Sequence, residues 1–249
     1  MSRPALRQRG VSLVELAVGL LVLSLVIGGL LIPLATQVEQ NRLNQAQRQL
    51  EEVRESLVGF ALANGRLPCP ASPTSGGVES PPGGGVCTHP NTGFVPAVTL
   101  GLSTIDEQGY AIDPWGLAQN RIRYAVTASN GSAFTTGGAG SMRVVGLSAL
   151  APALRVCSTG AGATATDCAS GTTLASNAVA VIWSLGPNAA TGGTSVDEAQ
   201  NPNPNSANAD AVFVSRVRGS TAVAEFDDLV TWLSPNVLYA RLVAAGQLP

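Results

Sequence analysis

From Leu16 to Val38 the chain carries no charge. As a helix rising about 1.5 Å per residue, that run is about 35 Å long, enough to cross a hydrocarbon core of about 30 Å. Arg3, Arg7 and Arg9 precede it with no acid among them. This bias predicts a single-pass anchor at about residues 14–36, N-terminus in the bacterial cytoplasm and everything after about residue 38 outside. A cleaved secretory signal would be shorter and would end at an A-x-A-like site, which Pro33, Leu34 and Ala35 do not make. Glu15 sits just inside the apolar stretch, beside Val14 and Leu16. A carboxylate near a membrane centre costs about 2.5–3.5 kcal/mol on insertion scales, so this one predicts a partner.

The residues Arg9, Gly10, Val11, Ser12, Leu13, Val14, Glu15 and Leu16 resemble the signal of type IV pilins and type II secretion pseudopilins, in which a short basic leader ends in Gly. The resemblance implies a leader over residues 1–10, cleavage between Gly10 and Val11 by a prepilin peptidase, and N-methylation of Val11. The family usually has Phe at the first mature position, where this chain has Val11. Glu15 becomes the fifth mature residue and the expected assembly residue. Cleavage creates an α-amine with a reference pKa near 8, largely cationic at neutral pH. The Glu15 carboxylate of one subunit can then pair with the Val11 ammonium of a neighbour, which would set register more than add net stability.

Beyond the anchor, Leu43, Ala46, Leu50, Val53, Leu57 and Phe60 recur at spacings of three and four among polar residues. That is one apolar stripe on a helix that attaches to a head, with Asn64 and Gly65 as its stop and Pro68 and Pro70 beyond. Helix 11–65 is therefore expected to have a membrane half and an amphipathic half, and residues 66–249 to form the head. The stretch from Leu67 to Pro96 is too long to be an idle connection and is either functional or stapled. Four cysteines on the exterior side, Cys69, Cys87, Cys157 and Cys168, suggest disulfides. Pairing Cys69 with Cys87 and Cys157 with Cys168 closes two local loops. A zinc site is the alternative, but there is no C-x-x-C and the one histidine is His89.

Strands are expected at Ile122–Val126, Ser141–Leu147, Ala178–Leu185 and Ala211–Val217, with a polar loop over 186–208 and a terminal helix between Ser234-Pro235 and Gly246. The order predicts an α+β, pilin-like fold: a long N-terminal helix packed on an antiparallel sheet, and a short C-terminal helix. Asp113, Pro114, Trp115 and Gly116 resemble a D-P-W-G turn of major pseudopilins, with Trp115 as an anchor between sheet and helix. Asp227 and Asp228 are reminiscent of the acidic stretch that binds calcium in some of those heads. Without a visible third ligand they read better as a solvated turn than as a calcium site, and no other cofactor is expected.

Every one of the 14 basic residues is Arg, so lysine Schiff-base chemistry and the lysine-bearing phosphate loop are excluded. A net charge of −2 leaves no basic surplus for nucleic acid. No G-x-S-x-G occurs, His89 lies beside Cys87, and the acids, Asp106 and Asp113 among them, are thinly spread, so the chain is expected not to be an enzyme. The resulting expectation is a structural subunit of a type IV pilus-like or type II secretion pseudopilus filament, a minor or tip subunit by the size of its head. Its expected partners are the prepilin peptidase, other pilin or pseudopilin subunits, the inner-membrane assembly platform and the membrane. Its expected location is the bacterial inner membrane with a periplasmic head, then a periplasmic pseudopilus or cell-surface pilus. The alternative is an adhesion or ligand-binding protein displayed on a pilin stem, with loops 67–96 and 186–208 as the contact surface.

Overall fold

A computed structural model describes residues 12–116, 118–191, 195–202, 209–219 and 225–248, with residues 27–35 described as backbone alone. The chain divides into two compact units, Met1–Asn44 and Gln45–Pro249. Helix α1 (Leu13–Asn64) supplies the described part of the first and opens the second.

In the first unit, α1 begins directly behind Ser12. The N–H of Glu15 donates to Ser12 Oγ at 3.2 Å and the N–H of Ser12 donates to Glu15 Oε2 at 2.9 Å. This reciprocal S-x-x-E arrangement satisfies two backbone donors that a helix start leaves open. Behind it the large apolar side chains from Leu13 to Val26 are each more than half exposed, on every side of the helix.

The expected inner-membrane location, single-pass with a cytoplasmic N-terminus and a periplasmic head, requires correction. Among the described residues no helix is long and apolar enough to cross a membrane. Ahead of residues 27–35, the described large apolar side chains of this unit run from Leu13 to Val26. Glu15 also places a carboxylate within that stretch.

In the second unit, Ala46, Leu50, Val53, Leu57, Val58 and Ala61 of α1 are buried, the spacing of one helix face. The helix stops at Gly65, whose φ of 69° a residue with a Cβ rarely adopts, and whose N–H closes the last turn onto Ala61 O. Gln247 donates to the end-of-helix carbonyl of Leu62 at 2.9 Å, fastening the C-terminus of the chain to this helix end.

The remaining elements are β1 (Gly93–Phe94), α2 (Ala97–Leu100), β2 (Arg123–Val126), α3 (Ser129–Ser132), α4 (Met142–Val145), β3 (Leu154–Cys157), β4 (Thr173–Ala178), β5 (Ala180–Ser184), α5 (Val196–Gln200), β6 (Val212–Val214), β7 (Leu229–Leu233) and α6 (Pro235–Ala244). One sheet has the order β1-β2-β5-β7 and is antiparallel throughout. The other has the order β4-β3-β6, with β3 antiparallel to β4 and parallel to β6. The fold is thus mixed α+β, with one antiparallel sheet as expected and a second sheet that is mixed.

Ala125, Val181 and Trp183 of the first sheet share a buried cluster with Leu154, Val156 and Phe213 of the second. The rings of Trp183 and Phe213 lie 5.0 Å apart at its centre. Trp183 is fully buried between the two sheets and donates to Pro202 O, whereas Trp115, the expected anchor between sheet and helix, is half-buried. The expected strand Ser141–Leu147 is instead the one-turn helix α4, ended by Gly146 at φ 80°. The terminal helix α6 starts as expected, with Ser234 Oγ accepting from Val237 N and Pro235 in the first turn.

Candidate functional site

The expected processing residues Gly10 and Val11 lie outside the described residues. Glu15, the expected assembly residue, is exposed in the first turn of α1 and holds the N–H of Ser12. Its carboxylate therefore has a partner within its own chain.

The cysteines form two disulfides, Cys69–Cys87 and Cys157–Cys168. The first closes the long Pro- and Gly-rich segment, which is held a second time at its centre. Arg66 grips both oxygens of Glu79 at 2.8 Å, and the same carboxylate accepts from the N–H groups of Cys69 and Gly83 at 3.1 Å each. Burial acts to raise the Glu79 pKa, but the Arg66 hydrogen bonds and charge and the two backbone donors together hold it below the usual carboxylate value. This segment is therefore a stapled structural element.

Asp106 and Asp113 are each held by hydrogen bonds within the fold. Asp106 accepts from Arg121 Nε at 2.7 Å and from the N–H groups of Gln108 and Tyr110. Asp113 is buried and accepts from Trp115 N, Asn120 Nδ2 and Ser184 Oγ, which makes it the pin of the D-P-W-G turn. Cys87 is oxidised and offers His89 no thiol.

Asp227 and Asp228 do not lie in a solvated turn. They precede β7 and are 7% and 4% exposed, and Glu198, 1% exposed, reaches them from α5. One ligand oxygen from each of the three lies within 4.8 Å of the other two. Glu198 Oε1 accepts from Asp227 N at 2.9 Å and from Asn188 Nδ2 at 3.2 Å. Asp228 Oδ2 accepts from Asn201 Nδ2 at 2.7 Å, and Asn201 also exchanges hydrogen bonds with Val214 of β6. Asp227 Oδ1 is buried with no hydrogen-bond partner. Gly186 makes this crowding feasible: its φ is 65°, and a Cβ there would lie 2.6 Å from Asp227 O.

Burial, followed by the charge and hydrogen bond of Glu198, pushes Asp227 up to about 7. Burial pushes Asp228 well above its ordinary value, with Asp227 and Glu198 adding to the shift. The nearby Arg218 charge offsets part of this on Asp227, and three carboxylates this close can still hold a proton or a hard cation. The oxygen-only donor set and the orphaned Asp227 Oδ1 fit a divalent ion of the calcium type, which Glu198, Asp227 and Asp228 would hold. Glu198 escapes a reading of the sequence because it lies in a polar loop far from the other two. Its one local signal is Ser195-x-x-Glu198, a helix-start pattern whose cap forms through Ser195 Oγ. No family model, curated protein or solved structure matches this chain.

Proposed function

We propose that the chain is a structural subunit of a filament of the type IV pilus or type II secretion pseudopilus kind, cut between Gly10 and Val11 by a prepilin peptidase. The observation that carries this reading is the division of α1. From Leu13 to Val26 it exposes apolar side chains on all sides, and from Ala46 to Ala61 it buries a single stripe in a folded head. A helix apolar all round needs other apolar surface to cover it, and equivalent helices of further copies are the covering this reading assigns. In this reading the first unit serves assembly and the second is the head. Its stapled long loops, too bulky for every position of a helical lattice, favour a minor or tip position.

In this reading Glu15 pairs across subunits with the ammonium of a neighbour's Val11, and the acid trio braces the head when it holds a cation. The role is mechanical and assigns the chain no reaction of its own. Co-expression with a prepilin peptidase tests it. The mature chain is expected to lose residues 1–10 and to begin at Val11 by intact mass, and Gly10→Ala is expected to abolish the cut. A mature N-terminus elsewhere, or no processing, overturns the reading.

A further inference from the structure

We infer that Arg218 is a built-in competitor for the cation at the acid trio, standing where the site opens and setting how much cation is needed to fill it. This rests on the cation reading of Glu198, Asp227 and Asp228 and is independent of the filament reading. The trio itself is closed, its three residues being 1–7% exposed. It reaches an open pocket at Asp227, and Arg218, Gly219, Glu225 and Phe226 also line that pocket. Strand register brings Arg218 to Asp227. Gly219 and Phe226 form an antiparallel bridge in which each N–H donates to the other's carbonyl at 3.0 Å. Beside such a doubly bonded pair, the next two residues stand opposite each other with their side chains closer still, and here they are Arg218 and Asp227.

Asp227 is also the trio member with an unfilled oxygen, since its Oδ1 is buried without a hydrogen-bond partner. Burial is the largest influence on this carboxyl, and the Arg218 charge works against it. Arg216, two residues earlier, is committed differently: it pairs with Asp197 at 2.8 Å and lies over the Phe226 ring. Calcium sites are tuned over orders of magnitude in affinity by the charge of their ligands. An arginine across from one ligand subtracts a charge from that sum without removing an oxygen. Arg218 therefore weakens the site and leaves its donor set intact, so that the trio fills only where the cation is abundant.

The test is calcium binding to the full chain by titration calorimetry, at pH 9 so that few protons compete for the carboxylates, with the melting temperature as a second readout. Arg218→Gln is expected to tighten binding about tenfold, the size of one unit charge acting on a divalent ion across a few ångströms of wet pocket. Arg218→Met, a second neutral replacement, is expected to do the same, and Arg218→Lys, which keeps the charge, to bind within about twofold of wild type. Adding Asp227→Asn to Arg218→Gln is expected to abolish binding. The inference fails if both neutral variants bind no more tightly than wild type, if Arg218→Lys tightens binding as much as Arg218→Gln does, or if the tighter binding survives Asp227→Asn. Absence of calcium binding in wild type and in every variant overturns the cation reading of the trio instead, so the two failures are distinct.

Discussion

At the residue scale, the same four-residue pattern does two different jobs. In Ser12-x-x-Glu15 the glutamate turns back to the serine N–H, and both groups stay at the surface. In Ser195-x-x-Glu198 the serine caps in the same way, but the glutamate turns inward to Asp227 N and Asn188. The second arrangement makes the head sensitive to pH. Asp227 has an ordinary value of 3.8 and is raised to about 7 in the fold, chiefly by burial and then by Glu198. The folded chain therefore keeps a proton that the unfolded chain releases above about pH 4. Stability is greatest below that point, falls as the pH rises from about 4 to about 7, and levels off beyond. Denaturant unfolding of the full chain across this window is expected to show a loss of a few kcal/mol. Asp227→Asn should remove the share of Asp227 and leave that of Asp228, whose carboxyl burial also raises, and an unchanged slope in that variant would refute the assignment. Because a hard cation would replace the missing proton, millimolar calcium at pH 8 is expected to raise the melting temperature of wild type and not of Asp227→Asn.

At the element scale, stability in the head depends on how loops are tied as much as on the sheets. Segment 67–96 is closed by a disulfide of sequence separation 18 and pinned by the Arg66–Glu79 pair, both of whose side chains are buried. Arg66→Ala would leave the Glu79 charge buried without its cation and is expected to cost about 3–5 kcal/mol by denaturant unfolding. Replacing Arg66 and Glu79 together with leucines should cost less than the single change. If Arg66→Ala costs under about 1 kcal/mol, the pin is not structural. The local disulfides are legible in the sequence because each closes a short loop, and so are α1, its stop at Gly65 and the capped start of α6, whose signals are all local. Elsewhere local signals fail. The alternation in Ser141–Leu147 suggests a strand, but Val144 is 64% exposed, so the pattern marks no buried face. β4 is mostly polar and exposed and carries no apolar period, while β7 follows directly on the two aspartates that read as a turn. The third acid of the trio is set by the packing of α5 against β6, which brings Glu198 to the N–H of Asp227 ahead of β7, a contact between distant segments that spacing cannot encode.

At the scale of the whole molecule, the two units obey different rules. The head buries its core between two sheets, around Trp183 and Phe213, and is complete as a fold. The described stem buries nothing: Leu20, Leu21, Val22 and Leu23, four consecutive positions that face all directions, are each 52–59% exposed. Exposed apolar surface on that scale is unstable alone in water, since covering it gains roughly 25 cal/mol for each Å² removed. The filament reading requires that several helices cover it together, so a charge on any side of the stem should disturb assembly. Leu21→Arg tests this without touching the head. The variant is expected to be processed after Gly10, to keep the wild-type melting transition of the head, and to lose most of its filament fraction. A neutral change of similar bulk, Leu21→Met, should assemble nearly as wild type does, because it preserves the apolar surface. If Leu21→Arg enters filaments as readily as Leu21→Met, the stem is not buried between copies, and the division of α1 has to be explained by a different partner.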